Sequence, residues 1–221
     1  MIVKIIQKVK TLQNREIQLY KAESLSANVN KTVFIIGVFH GDEPEGEPLI
    51  LKLMEDIKKN PDIIGENRIL FIPVLNPDGK AQNIRVNSKG VDLNRNFPTN
   101  NWILSREKDL YYSGDNPASE IETCFVIDIL DKYKPDIIFT LHKPYRIVNF
   151  DGPALDIAKK ISELNGYPVQ DDIGYPTPGS FGTYAGIEKG IPVITLEMPD
   201  NSDFDTLWKE NSKVFYFLCK F

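Results

Sequence analysis

Only two histidines occur in the chain, His40 and His142, and each follows an apolar run of strand length. Thr32 to Phe39 (TVFIIGVF) leads into His40, and Asp136 to Leu141 (DIIFTL) leads into His142. The carboxyl ends of strands are where open α/β sheets place their ligands. His40 opens a His-x-x-Glu with Glu43, which puts an imidazole and a carboxylate on one short loop. Two His and one Glu form a three-ligand set that leaves the fourth position of a tetrahedral zinc open for water, as a catalytic site requires. One histidine at a strand end is more often a hydrogen-bonded surface residue, and His-x-x-Glu alone recurs by chance. A third strand end adds weight, because Ile191 to Leu196 (IPVITL) runs straight into Glu197. A buried unpaired carboxylate is expensive, so a task is expected of Glu197. Beside a metal-bound water that task is general base.

The stretch Asp92 to Phe97 (DLNRNF) supplies further chemistry. Arg95 presents a planar fork suited to a carboxylate, and Asn94 adds neutral donors; together they are expected to hold a substrate carboxylate. Arg85, earlier in the same loop, is placed to stabilise an oxyanion. The plainer alternative makes both arginines solvated loop cations.

The elements that must position these groups read as an alternation. Ile2 to Val9 and Glu16 to Ala22 suggest an antiparallel hairpin around Gln13 and Asn14, at a sheet edge. After the Thr32 strand, Leu49 to Lys59 carries apolar residues at helical spacing until Asn60-Pro61 stops them. Arg68 to Leu75 reads as a buried strand and Asn76-Pro77-Asp78-Gly79 as a turn. The region from Lys80 to Gly114 reads as a long functional loop. Helices are expected over Glu120 to Tyr133, with Ile121, Phe125, Ile129 and Leu130 on one face, over Ala154 to Asn165 and over Phe204 to Leu218. Strands alternating with helices indicate an α/β sheet covered on both faces.

Composition narrows the function. The 221 residues carry 26 Lys and Arg against 31 Asp and Glu, a net charge of −5, and lack the basic field that nucleic acid or anionic lipid requires. No stretch approaches the roughly 18 apolar residues of a membrane span, and the first residues do not read as a signal peptide. Cytoplasmic residence and a single domain over residues 1–221 are the expectations. Cys124 and Cys219 are far apart, so a thiolate zinc site is excluded. Cys124 is expected in the core beside Phe125, with Cys219 also structural. The aromatic end, Trp208 with Phe215, Tyr216, Phe217 and Phe221, is expected to dock on the core. Gly179-Ser180-Phe181-Gly182 lacks the nucleophile-elbow pattern of a serine hydrolase.

FHGDEPEG, NPDG, RVNSKGVDLNRNFP, TLH and TLE, in this order, resemble the zinc carboxypeptidases of the M14 type. The resemblance spans His40 to Glu197. It implies one zinc held by His40, Glu43 and His142, Arg85 polarising the scissile carbonyl, Asn94 and Arg95 on a substrate carboxylate, and Glu197 as base. It also implies an α/β fold with a mixed, roughly eight-stranded twisted sheet between helices. Tyr175 has the spacing from Glu197 of the family's mobile active-site tyrosine, with Tyr184 as the second candidate. Within the family, Gly114 to Thr123 (GDNPASEIET) and Tyr175 to Pro199 look like the bacterial murein peptide amidases. This implies a small peptide substrate with a free carboxylate and hydrolysis of a γ-D-glutamyl–meso-diaminopimelate bond in cell-wall peptide recycling. Lys143 is a departure, since many members have a small residue such as Ser after the third ligand. Its cation either shifts specificity toward a more acidic substrate or points to solvent. Other readings are carboxypeptidase action on other C-terminal residues, deacylation of N-acyl amino acids as in the aspartoacylase and succinylglutamate desuccinylase relatives, and an inactive binding module. The NPDG turn and the PTPGSFGTYAG segment argue against the deacylase.

Overall fold

A computed structural model describes residues 3–23, 29–107 and 110–221. Eight strands form one sheet in the order β1-β2-β4-β3-β5-β8-β6-β7. The middle four are β4 (Arg68–Ile72), β3 (Thr32–Ile36), β5 (Ile137–His142) and β8 (Val193–Pro199), and they run parallel. On one side the hairpin of β1 (Val3–Lys10) and β2 (Glu16–Glu23) joins antiparallel to β4 and leaves β1 at the edge. On the other side β6 (Tyr145–Asp151) pairs antiparallel with β8 and parallel with the two-residue β7 (Val169–Gln170). The sheet is mixed and eight-stranded, as the resemblance implies.

The central strands are apolar on both faces because both faces are covered. Val33, Ile35, Ile69, Phe71, Phe139 and Leu196 pack with α1 (Gly46–Lys59), α4 (Leu155–Asn165) and α5 (Phe204–Cys219). Alternate residues Phe34, Ile36, Leu70, Ile72 and Ile138 pack with α3 (Ile121–Tyr133), as the two-residue period of a strand demands. Phe215 is buried in the first layer, with Trp208, Tyr216, Phe217 and Phe221 packed against it. Among the described residues, no helix is long and apolar enough to cross a membrane.

Several boundaries differ from the sequence reading. β3 ends at Ile36 rather than Phe39, because Val38 takes φ +53 and turns the chain; a β-branched residue there is strained. β4 stops at Ile72, before Pro73, which has no N–H to give the ladder. Asn76-Pro77-Asp78-Gly79 opens a short helix, α2 (Pro77–Gln82), instead of making a turn. Proline's fixed φ suits a first helical position equally well, and the Asn76 side chain accepts from Gly79 N at 2.9 Å. On α3 the buried residues are Glu122, Thr123, Phe125, Val126, Ile129 and Leu130, so Ile121 and Cys124 are exposed and neither belongs to the core. Cys219 is buried as expected.

Candidate active site

The parallel register of the central strands gathers the site. β3 and β5 are neighbours, so the loop after β3, carrying His40 and Glu43, lies beside His142, the last residue of β5. β5 and β8 are also paired, with His142 in register with Glu197. Glu197 therefore lies inside β8, which extends to Pro199, and not beyond a strand that ends at Leu196. Phe39 stacks on the His142 ring with centroids 5.3 Å apart.

The loop after β4 closes over this point through side-chain to backbone bonds. Asn76 Nδ2 donates to Phe39 O at 3.4 Å and Arg85 O at 3.2 Å, tying the β3 and β4 ends together. Gly41 permits the contact, since a Cβ there would stand 2.0 Å from Gly79 C. Asn87 Oδ1 accepts from the backbone N–H of Lys89 and of Val91, both at 3.0 Å, and shapes the turn that delivers Asp92.

His40 Nδ1 and His142 Nδ1 face each other at 3.3 Å, with Glu43 Oε1 at 2.8 Å from the first and Oε2 at 3.0 Å from the second. All three residues are buried, and their ligand atoms lie within 4.8 Å of one another. Two facing ring nitrogens cannot both keep a lone pair and satisfy each other. Tetrahedral ligands about 2.05 Å from a zinc ion stand about 3.3 Å apart, so these residues fit that metal. Asp92, which the sequence reading did not single out, orients the set. Its Oδ1 is 3.2 Å from His40 Nε2, while Arg85 donates to Oδ2 from Nε at 3.1 Å and from Nη2 at 2.9 Å. Holding the outer nitrogen of a ligand imidazole fixes its tautomer and ring orientation. Burial opposes charge on His40, but the Glu43 and Asp92 carboxylates overcome it and push the ring up to about 9. Burial likewise opposes ionisation of Glu43 and Asp92, yet His40 holds both carboxyls far below their usual range.

Glu197 has the opposite balance. Burial raises its pKa, the imidazoles of His142 and His40 only partly offset that, and its Oε2 has no hydrogen-bond partner. Its cavity, about 300 Å³, is lined by His40, Glu43, Arg85, Asn94, Arg95, His142, Tyr175 and Glu197 together. Arg95 is buried, not a solvated loop cation, and its Nη1 donates to Asn94 O at 2.7 Å. Asn94 Oδ1 accepts from Phe181 N at 2.8 Å, which leaves the side-chain amide nitrogen as the donor. Tyr111, unmarked by any motif, lies against both guanidinium groups, 5.5 Å from Arg85 and 5.3 Å from Arg95. Tyr175 stands at the Arg95 end, with the guanidinium 6.0 Å from its ring. Tyr184, the second candidate, packs on Phe97 in the core and does not line the cavity.

A buried two-His, one-Glu cluster at the carboxyl ends of a mixed sheet, with a carboxylate and two arginines facing it, defines a metallohydrolase-type site. The chain belongs to the zinc carboxypeptidase family, whose model matches residues 1–153. It is 35% identical over 140 residues to murein peptide amidase A of Vibrio campbellii, covering 57% of this chain and 54% of that protein. It is 28% identical over 176 residues to murein peptide amidase A of Escherichia coli K12, covering 75% of this chain and 70% of that one. The chain thus spans about half the length of the first relative. Among solved structures, murein-tripeptide amidase MpaA from Escherichia coli O157 superposes with a TM-score of 0.79 at 22% identity, over 99% of this chain and 92% of that one.

Proposed function

We propose that this chain is a zinc-dependent murein peptide amidase, a single catalytic domain over residues 1–221. It hydrolyses the γ-D-glutamyl–meso-diaminopimelate bond of small cell-wall peptides in the cytoplasm, in the service of peptidoglycan recycling. The observation that carries this reading is the sharing of one cavity by the metal triad, the unpartnered Glu197 Oε2 and the Asn94–Arg95 pair. The likeness to relatives named murein peptide amidase A supports the choice of substrate.

His40, Glu43 and His142 would hold the zinc, with Asp92 fixing the His40 ring. When bound, zinc supplies a Lewis acid that polarises the scissile carbonyl and lowers the pKa of water beside it. Glu197, its carboxyl raised by burial, accepts the proton of the attacking water and returns it to the leaving amine. Arg85, braced by Asp92, carries the negative charge that develops on the carbonyl oxygen. Asn94 and the remaining N–H groups of Arg95 hold the carboxylate of the leaving residue and keep the scissile bond over Glu197. Tyr175 closes that end of the cavity.

Carboxypeptidase action on α-linked peptides is the second reading, favoured by 28% identity to carboxypeptidase SOL1 of Arabidopsis thaliana over 80% of this chain and 43% of that protein. Digestion of L-Ala-γ-D-Glu-meso-diaminopimelate, with an α-linked peptide as control and metal content measured on the same sample, separates the two. The expected outcome is release of diaminopimelate by protein carrying about one zinc per chain, with the control intact. Cleavage of the control alone makes the protein a general carboxypeptidase. Zinc without any cleavage turns attention to acyl amino acids or to a binding role.

A further inference from the structure

The murein reading leaves one cation of the cavity unused. Lys143 follows His142 directly and lines the same cavity. Its Nζ donates to Glu45 Oε1 at 3.0 Å, and Asp200 Oδ1 stands at 3.9 Å. An ammonium carries three donors, so with one contact at hydrogen-bond length others remain for a substrate. The position is also informative. Asn94, Arg95 and Tyr175 also line neighbouring cavities that Lys143 and Asp200 do not reach, so the lysine and the Asn94–Arg95 pair border different parts of the site. If the leaving residue's carboxylate sits on Asn94 and Arg95, Lys143 stands on the acyl side.

Resting on the proposed function, we infer that Lys143 recognises a carboxylate of the acyl residue three carbons beyond the scissile carbonyl. That group is about 5 Å from the reacting carbon in an extended chain. A γ-linked glutamyl residue always presents one, as its free α-carboxylate. An α-linked residue presents one only when its own side chain is acidic, so Lys143 favours the γ linkage over most α-linked peptides. The carboxylates of Glu45 and Asp200 beside it would repel a lone anion. The murein acyl group is zwitterionic, because the free ammonium of L-Ala lies next to that carboxylate. Asp42 lines the same cavity, and its carboxylate offers the ammonium a counter-charge. A zwitterion meeting a lysine set among carboxylates satisfies both signs.

The test crosses a change in the residue with a change in the substrate. kcat/KM is measured on L-Ala-γ-D-Glu-meso-diaminopimelate and on its analogue with the glutamyl α-carboxylate amidated, for zinc-loaded wild type, Lys143→Met and Lys143→Arg. Wild type is expected to prefer the carboxylate by about tenfold to a hundredfold, the range of a hydrogen bond to a charged group. The ratio should collapse toward one in Lys143→Met and persist in Lys143→Arg. Because the ratio is read within each variant, loss of fold or zinc cannot imitate the collapse. A wild type active on both substrates at equal rates overturns this inference alone, as does a Lys143→Met protein that keeps the preference. A wild type inert toward both overturns the murein reading, and this inference falls with it.

Discussion

Glu43 and Glu197 are two carboxylates of one cavity, 5% and 7% exposed, and their surroundings push them in opposite directions. Around Glu43 stand two imidazoles within 3.0 Å and the Arg85 Nη1 at 3.7 Å, and its carboxyl is held far below the usual range. Around Glu197 the imidazoles act from farther off, Glu43 itself opposes a second negative charge, and burial wins. Depth of burial is nearly equal, so the number and closeness of positive partners decide the protonation behaviour. A carboxylate kept ionised suits a metal ligand, and one poised upward suits proton transfer.

The sharpest way to break this contrast is Glu197→Gln, which removes the proposed proton acceptor and keeps the shape. kcat is expected to fall about a thousandfold or more, since base and acid roles vanish together, while zinc content per chain stays at the wild-type level. Steady-state kinetics with metal analysis on one sample measures both. Retained turnover would remove Glu197 from the chemistry, and lost zinc would make it a ligand instead.

Glu122 extends the comparison to a carboxylate away from the cavity. It is buried on α3 near Glu120, Asp78 and Asn87, and burial, helped by the two acidic neighbours, pushes it up to about 7. Below the ordinary carboxyl range the group is neutral folded and unfolded, and it affects stability little. As pH rises toward 7 the unfolded chain ionises and releases its proton while the folded chain keeps it, so stability falls through that window. Glu122→Gln should therefore stabilise the protein above pH 7, by about 3 kcal/mol at most, and hardly at all near pH 4. Denaturant unfolding at the two pH values reads the difference. Equal stability of variant and wild type at pH 8 would mean that Glu122 is not held protonated.

The candidate site was legible because strand-end position and residue type coincide at His40, His142 and Glu197, with Glu43 three residues after the first, and because only two histidines occur. The strands that deliver them were legible for the same reason that they are buried, as continuous apolar runs. β6 was not read, since Tyr145–Asp151 is half-exposed and mixes Arg, Asn and Asp into its pattern. The π-helical segment Gly182–Glu188 has no sequence period of its own; Gly182 and Gly186 admit Asp151, whose carboxylate and Cβ a methyl at those positions would strike. Ile121 reads as part of the Phe125 face and Cys124 as a core residue because an apolar residue next to a true core face looks the same in sequence. Tyr111 gave no signal, because its contacts to Arg85 and Arg95 arise from how an irregular loop folds back. Asp92 could have been found, as a carboxylate two residues before Asn94 in the same motif, but nothing in the sequence says that it faces His40.

Asp92 gives the finest test of the same contrast, because it would act on a metal at the proposed site only through His40. Asp92→Asn keeps an acceptor near His40 Nε2 and near Asn94 N, which Asp92 Oδ1 now accepts at 2.9 Å, so the fold of the loop should survive. What it loses is the charge that strengthens the bond to the outer ring nitrogen and braces Arg85. Removal of such a partner typically weakens metal binding by about tenfold to a hundredfold, roughly 1.4 to 2.7 kcal/mol, and competition with a chelator of known affinity measures it. The activity of Asp92→Asn should then climb with added zinc, leaving a residual deficit from the loosened Arg85. Glu197→Gln should show no such rescue, because its zinc is already in place. If zinc affinity is unchanged in Asp92→Asn, the orientation of His40 comes from the packing of Phe39 and the Gly41 turn, and the charge on Asp92 serves Arg85 alone.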